Sequence, residues 1–326
     1  MTDVRTVHRR GPAVVALGGG HGLSASLSAL RLMSDRLTAV VTVADDGGSS
    51  GRLRHEMGVL PPGDLRMALA ALCDESDWGR LWRDVLQHRF HSHGSMNEHA
   101  VGNLLITALW EILGDPVAGL DWVGRLLGAR GRVLPMASVP LDIEADISSP
   151  GEDGEHVVRG QAAVAAAAGE VHRIRLDPAD PPVPPQVLEA LDEADWVVLG
   201  PGSWFTSVLP HLLVPRLRDA LLRSSARRCL TLNLFPAAGR GGRMSCHQHL
   251  TALAEHVPDL RVDVVVADPS AVEDLDLMHE QVDRLGGVLL LRQVRVGDGS
   301  ARHDALRLAA AYRDAFEGTL GDVGER

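Results

Sequence analysis

Two adjacent carboxylates, Asp45 and Asp46, open the segment Asp45-Asp46-Gly47-Gly48-Ser49-Ser50-Gly51-Arg52-Leu53-Arg54. Carboxylates at a strand end can hold Mg²⁺, whose usual protein ligands are one or two carboxylates, with substrate phosphates alongside. One of them could instead meet ribose hydroxyls, as an acidic residue after the second strand does in dinucleotide folds. They could also be a helix cap and a solvated charge. Arg52 and Arg54 could clamp phosphate bidentately or lie on an exposed face.

Two glycine-rich turns accompany this block. In Gly18-Gly19-Gly20-His21-Gly22-Leu23-Ser24, glycines let a backbone approach phosphate closely, and a following helix offers free N–H groups. In Gly200-Pro201-Gly202-Ser203, a hydroxyl joins the amides at another helix start. Either could be a plain strand-to-helix turn. Gly20-x-Gly22-x-x-Ala25 also fits the looser dinucleotide fingerprint. A nicotinamide oxidoreductase would use it, but the Asp45–Gly51 block has no role in that scheme.

Three further features belong to this group. Asp64, in Pro61-Pro62-Gly63-Asp64-Leu65-Arg66, could cap a helix or join Asp45 or Asp46 around a metal. His99 and Asn103 stand one helical turn apart and could point jointly at a ligand, or be a capping His and a satisfied buried Asn. The His88–His93 cluster matches no common zinc spacing. There is no Ser-His-Asp order with a nucleophile elbow, Ser203 lacks the G-x-S-x-G frame, and no Cys context marks a nucleophile.

Composition narrows the chemistry. All 32 basic residues are Arg, so Walker-type phosphate binding and Schiff-base chemistry are excluded. Any phosphate must rest on amides, helix N-termini, Arg or a metal. The net charge of −11, without a basic block, argues against nucleic acid and anionic membranes as partners. Three distant Cys fit a reduced cytoplasm. No apolar run is long enough to span a bilayer, and the first ten residues lack a signal-peptide pattern.

The elements that must position these groups are legible as apolar runs. Ala13–Leu17, a helical pattern on Leu23, Leu27 and Leu30, and Leu37–Val43 form a β–α–β unit. Helical stretches follow at about 77–88, 98–113 and 116–127, with another beginning near Leu65. Alternating segments at Val139–Ile147 and Val171–Leu176, joined through the turn Pro150–Gly154, read as an inserted β-rich subdomain near 132–176; Ala162–Ala168 reads either way. Buried strands return at Trp196–Leu199, Cys229–Leu232, Val262–Ala267 and Val288–Leu291. The fold class is therefore α/β, a Rossmann-like doubly wound and mostly parallel sheet. We read one domain over 11–315, with flexible termini at 1–10 and 316–326. In such a sheet the three turns share the carboxyl edge, where ligands bind.

These motifs resemble the CofD-like superfamily, and most closely its YvcK branch, the gluconeogenesis factors of bacteria. The blocks are Ala16–Ser24 (the family usually has Thr at His21), Val41–Arg54, Leu60–Arg66, His99 with Gly102–Leu105, Gly131–Pro135 and Leu199–Ser203. The resemblance covers roughly 13–270. It implies a cytoplasmic Rossmann-like protein that binds a nucleotide sugar, with UDP-N-acetylglucosamine-type molecules favoured, and that is tied to carbon metabolism, cell shape and cell-wall precursor supply. The CofD branch transfers phospholactyl from a guanosine diphosphate donor, with Mg²⁺ on aspartates matched here by Asp45 or Asp46 and Asp64. No covalent cofactor is expected. The ligand set this implies is Gly18, Gly19, Gly20, His21, Gly22, Leu23, Asp45, Asp46, Ser49, Ser50, Arg52, His99, Asn103, Gly200, Gly202, Ser203 and Asn233. Regulation would run through a protein partner or through self-association as a homo-oligomer. One departure stands out: Phe235–Gly241 replaces the polar Met-Thr-Gln-x-Gly-Glu-Thr usual in the YvcK branch.

Overall fold

Short aliphatic runs such as Val14-Val15-Ala16-Leu17 and Val264-Val265-Val266-Ala267 are buried at every residue, as strands covered on both faces must be. The computed structural model describes residues 11–148, 154–167, 169–234, 245–298 and 300–318. Its strands are β1 (Val14–Gly18), β2 (Leu37–Val41), β3 (Arg132–Pro135), β4 (Asp142–Ser148), β5 (Glu155–Arg159), β6 (Glu170–Asp177), β7 (Trp196–Leu199), β8 (Arg227–Thr231), β9 (Val264–Ala267) and β10 (Val288–Leu291).

Seven of them form one parallel sheet in the order β10-β9-β8-β7-β1-β2-β3. The chain winds outward from β1 through β2 to β3, then returns to β7 on the other side of β1 and winds out to β10. The switch point lies between β1 and β7, where the carboxyl ends of neighbouring strands open a crevice. The helix Gly20–Leu30 packs against Pro62–Leu72 and Ala305–Glu317. Tyr312 of the last helix is buried and shares hydrogen bonds with Ser26 (2.7 Å) and Thr231 (3.0 Å). No helix among the described residues is long and apolar enough to cross a membrane.

A separate antiparallel sheet, β5-β4-β6, carries its apolar side chains (Ile143, Ala145, Ile147, Ile174, Leu176) inward and its charged ones outward. The insertion therefore begins later than residue 132. Arg132–Pro135 extends the large sheet beside β2, because Val133 and Leu134 are buried there. Gln161–Ala166, ambiguous in sequence, is a short helix. At the other end, the helix runs to Glu317 and Phe316 stacks on Trp196 at 4.3 Å, so order extends past residue 315. Residues 1–10 and 319–326, most of the Pro150–Gly154 turn and the divergent 235–241 segment lie outside the described residues.

Candidate functional site

Because β7, β1 and β2 are neighbours, the three glycine-rich turns meet at one edge. The contacts are close enough to demand glycine. A Cβ on Gly22 would overlap the Pro201 carbonyl, which seats the first turn on the third. A Cβ on Gly19 would overlap the Thr42 methyl and lie 2.6 Å from Asp64 Oδ2. The helix Gly20–Leu30 starts at the Gly19 cap, which has no side chain to cover the first N–H groups, and of these the Gly20 amide is taken by Asp64. The amides of His21 and Gly22 thus remain for an anion, while the His21 side chain is exposed. Leu23 does not join them: its amide bonds Gly19 O at 3.2 Å and its side chain is core, 1% exposed.

Asp64 does not cap its helix, which already begins at Pro62, a residue suited to the first turn. Its carboxylate turns to the first glycine turn and accepts from the Gly20 amide. Burial, and then the Asp45 charge, push its pKa up to about 7, against the opposing pull of Gly20 and Arg66. Asp45 Oδ1 accepts from the Gly47 amide at 3.0 Å, and its Oδ2 faces Gly63. Asp45 and Asp64 therefore lie close enough to repel each other, and their carboxylate oxygens are of the kind that suits a hard divalent cation. Asp46 is not part of it. Its carboxylate accepts from the Ala162 amide at 2.9 Å and packs against Gly160, so it anchors the inserted helix instead. No group of three or more His, Cys, Asp or Glu is placed to hold a metal among the described residues. Of the three aspartates expected together, Asp46 is therefore engaged by the inserted helix.

The two serines of the second turn are buried and hold structure through their hydroxyls. Ser50 Oγ accepts from the Gly63 amide at 3.0 Å. Ser49 Oγ accepts from Asn103 Nδ2 at 2.9 Å and lies 3.0 Å from His99 Nδ1. Asn103 Oδ1 accepts from Arg66 Nε at 2.9 Å. His99 lies before the helix Val101–Leu113, so the two residues do not share a helix face; they converge on Ser49 rather than on open space. Burial, then Arg52, holds the His99 pKa below its usual range. Gly47 caps the helix Gly48–Met57 without a side-chain bond, leaving the first amides of that helix open.

The nearby arginines are engaged. Arg52, though exposed, donates to Ser95 O (2.9 Å) and Asn97 O (2.6 Å). Arg54 binds Leu141 O and the Asp142 carboxylate. Arg66 is 4% exposed, and burial lowers its pKa to about 10. A phosphate here would therefore meet amides and the Asp45–Asp64 pair before any free guanidinium of these three.

The third turn has its own clamp. Asn233 Oδ1 accepts from the Gly202 amide at 2.9 Å, and Nδ2 donates to its carbonyl at 2.7 Å. Gly202 N–H is thus taken, and the open amides lie beyond Ser203, where a single π-helical turn, Trp204–Val208, begins. Such turns often mark functional sites. Gly200 is buried beneath the turn. Thr42 was missed in the sequence: its methyl packs under Gly19 and its Oγ1 is buried without a partner among the described residues. Only its place just past β2 could have marked it.

Residues 14–288 match the family model described as 2-phospho-L-lactate transferase CofD. A Mycobacterium tuberculosis (strain H37Rv) protein is 52% identical over 303 residues, covering 91% of this chain and 88% of the relative. The Gluconeogenesis factor of Bacillus subtilis (strain 168) is 35% identical over 320 residues, covering 94% and 98%. A crystal structure of a UPF0052-family protein from Bacillus halodurans superposes with a TM-score of 0.82 at 32% identity, over 93% of this chain and 98% of that one.

Proposed function

The chain belongs to the CofD family, among relatives named gluconeogenesis factors, and from that premise we propose that it is a cytoplasmic regulatory protein that binds a nucleotide sugar of the UDP class. What supports this reading is the convergence of three helix starts, with uncapped amides, on the switch point of the sheet. The diphosphate rests on the amides of His21 and Gly22 and on those following Ser203. Asp45 meets ribose hydroxyls or, with Asp64, holds Mg²⁺. Ligand occupancy alters binding to a protein partner in cell-wall precursor supply, or self-association. Calorimetry with UDP- and GDP-sugars, with and without Mg²⁺, tests this. Absence of heat with every nucleotide sugar would remove it.

A second reading is a Mg²⁺-dependent transferase of the 2-phospho-L-lactate type. The observation that favours it is the Asp45–Asp64 pair, whose mutual repulsion a cation would relieve. Bound Mg²⁺ would offset charge on a leaving diphosphate. Asp45 and Asp64 would hold it, the first-turn amides would orient the donor, and Asn233 would fix the third turn. Turnover of a guanosine-diphosphate-activated donor, lost in Asp64→Asn with binding retained, would favour this reading. Binding without any product would exclude it.

A further inference from the structure

The small sheet ends in β6, and a cleft of about 700 Å³ runs along that strand, away from the glycine-rich turns. Its opposite wall is formed by Leu213, Arg218 and the end of the helix Cys246–His256. Every residue from His172 to Asp177 lines it. Successive strand side chains point to opposite faces, so a cavity that meets six in a row follows the strand's edge rather than either face. β6 pairs only with β4, and its backbone has no other backbone partner among the described residues. A volume of this size is that of a ligand site, and an open edge beside it is a template for another strand.

The charges around the cleft select the occupant. Glu144 and Asp177 are already matched, by Arg159 at 3.2 and 2.6 Å respectively. Arg175 is committed to Asp146 at 2.5 Å. Among the charged groups that line the cleft, that leaves the guanidinium groups of Arg173 and Arg218 with the carboxylate of Glu255; Arg173 stands cross-strand from Asp146, which Arg175 already binds, and Arg218 makes only a 3.7 Å contact to its neighbour Asp219. His256 adds a further unused group. Its Nδ1 lies 2.7 Å from Ala252 O, while Nε2 is buried with no partner among the described residues.

We propose that this cleft is a docking site for an extended acidic segment of a protein partner, which adds to the free edge of β6 as a further strand. Main-chain hydrogen bonds to β6 hold the segment, and alternate Asp or Glu side chains face Arg173 and Arg218. Docking needs no nucleotide on the glycine-rich turns, so a failure of nucleotide binding leaves it standing.

A fluorescein-labelled octapeptide of alternating Glu and Val, titrated against the full chain by anisotropy, tests the idea. The comparison peptides are alternating Lys and Val, and two Glu–Val versions N-methylated at odd or at even positions. The Glu peptide should bind at least tenfold more tightly than the Lys peptide. One N-methylated version should lose binding and the other keep it, because only alternate amides face the strand. Arg173→Glu with Arg218→Glu, both away from the core, should weaken the Glu peptide at least tenfold with an unchanged circular dichroism spectrum. Equal affinity for the Glu and Lys peptides, equal affinity of the two N-methylated versions, or no binding at millimolar chain would overturn it.

Discussion

Asn233, two residues past β8, holds both backbone polar groups of Gly202, accepting from its amide at 2.9 Å and donating to its carbonyl at 2.7 Å. One side-chain amide thereby acts as a strand partner for the turn that follows β7. Removing it leaves two backbone groups unpaired, at about 1–3 kcal/mol for each that stays buried. Asn233→Ala should therefore weaken UDP-N-acetylglucosamine about tenfold in calorimetry while leaving a folded chain. An unchanged affinity would mean that the third turn does not touch the ligand.

Asp64 should make stability depend on pH in an unusual direction. Its pKa is pushed up to about 7 in the folded chain, against 3.8 for an ordinary aspartate. Between about pH 4 and 7 the folded chain holds a proton that the unfolded chain has released. Stability from this group is thus fully present below pH 4, falls as pH rises to 7, and is flat above. Asp64→Asn should flatten that slope and stabilise the chain at pH 8 by about 1–3 kcal/mol, since the carboxyl keeps some solvent access. Urea unfolding at pH 5 and pH 8 measures it. An identical pH slope in both proteins would contradict the buried, repelled carboxyl.

The same group predicts proton release on cation binding. If Mg²⁺ lies between Asp45 and Asp64, binding at pH 6.5 must displace a proton from Asp64. Calorimetric enthalpies should then differ between phosphate and Tris buffers in proportion to their ionisation heats, and the difference should vanish in Asp64→Asn. Equal enthalpies in wild type would place the ion elsewhere.

Asp46 ties the second turn to the inserted subdomain through the Ala162 amide. Asp46→Ala removes a capping contact, with a local cost of about 0.5–2 kcal/mol. Amide hydrogen exchange should accelerate in 161–166, and the seven-stranded sheet should be unaffected. Faster exchange throughout the core would show that the contact matters to the whole fold.

The buried chain Arg66–Asn103–Ser49–His99 should be costly to break. Asn103→Ala removes the partner of Arg66 Nε and one of the two partners of the Ser49 hydroxyl in a site with almost no solvent access, and should destabilise by about 2–5 kcal/mol. Chemical unfolding checks this, and a loss below about 1 kcal/mol would mean that water replaces the amide.

Strand positions and the edge that carries the site were legible in the sequence, because aliphatic runs followed by glycine turns allow few arrangements. The helix start at Val101 was less so, since His99 looked helical by spacing alone. Arg52 and Asp46 could not be assigned from sequence. Each is a polar residue on a Gly-rich turn with a phosphate-binding look, and each is taken up by backbone groups 43 to 116 residues away.

By itself the sequence determined that any phosphate binding must proceed without lysine, and that glycine turns stand at helix starts in a parallel α/β sheet. Those are properties of residue type and local spacing. Only the tertiary structure decided which polar groups remain open. It engaged Arg52, Arg54, Arg66, Asp46 and the Gly202 amide in contacts within the chain, and it left the Asp45 charge acting on Asp64. The physical reason is that a buried donor or acceptor such as Arg66 must find a partner, and that the partners of all these groups are brought in by the fold, mostly from distant parts of the chain that no local pattern can name.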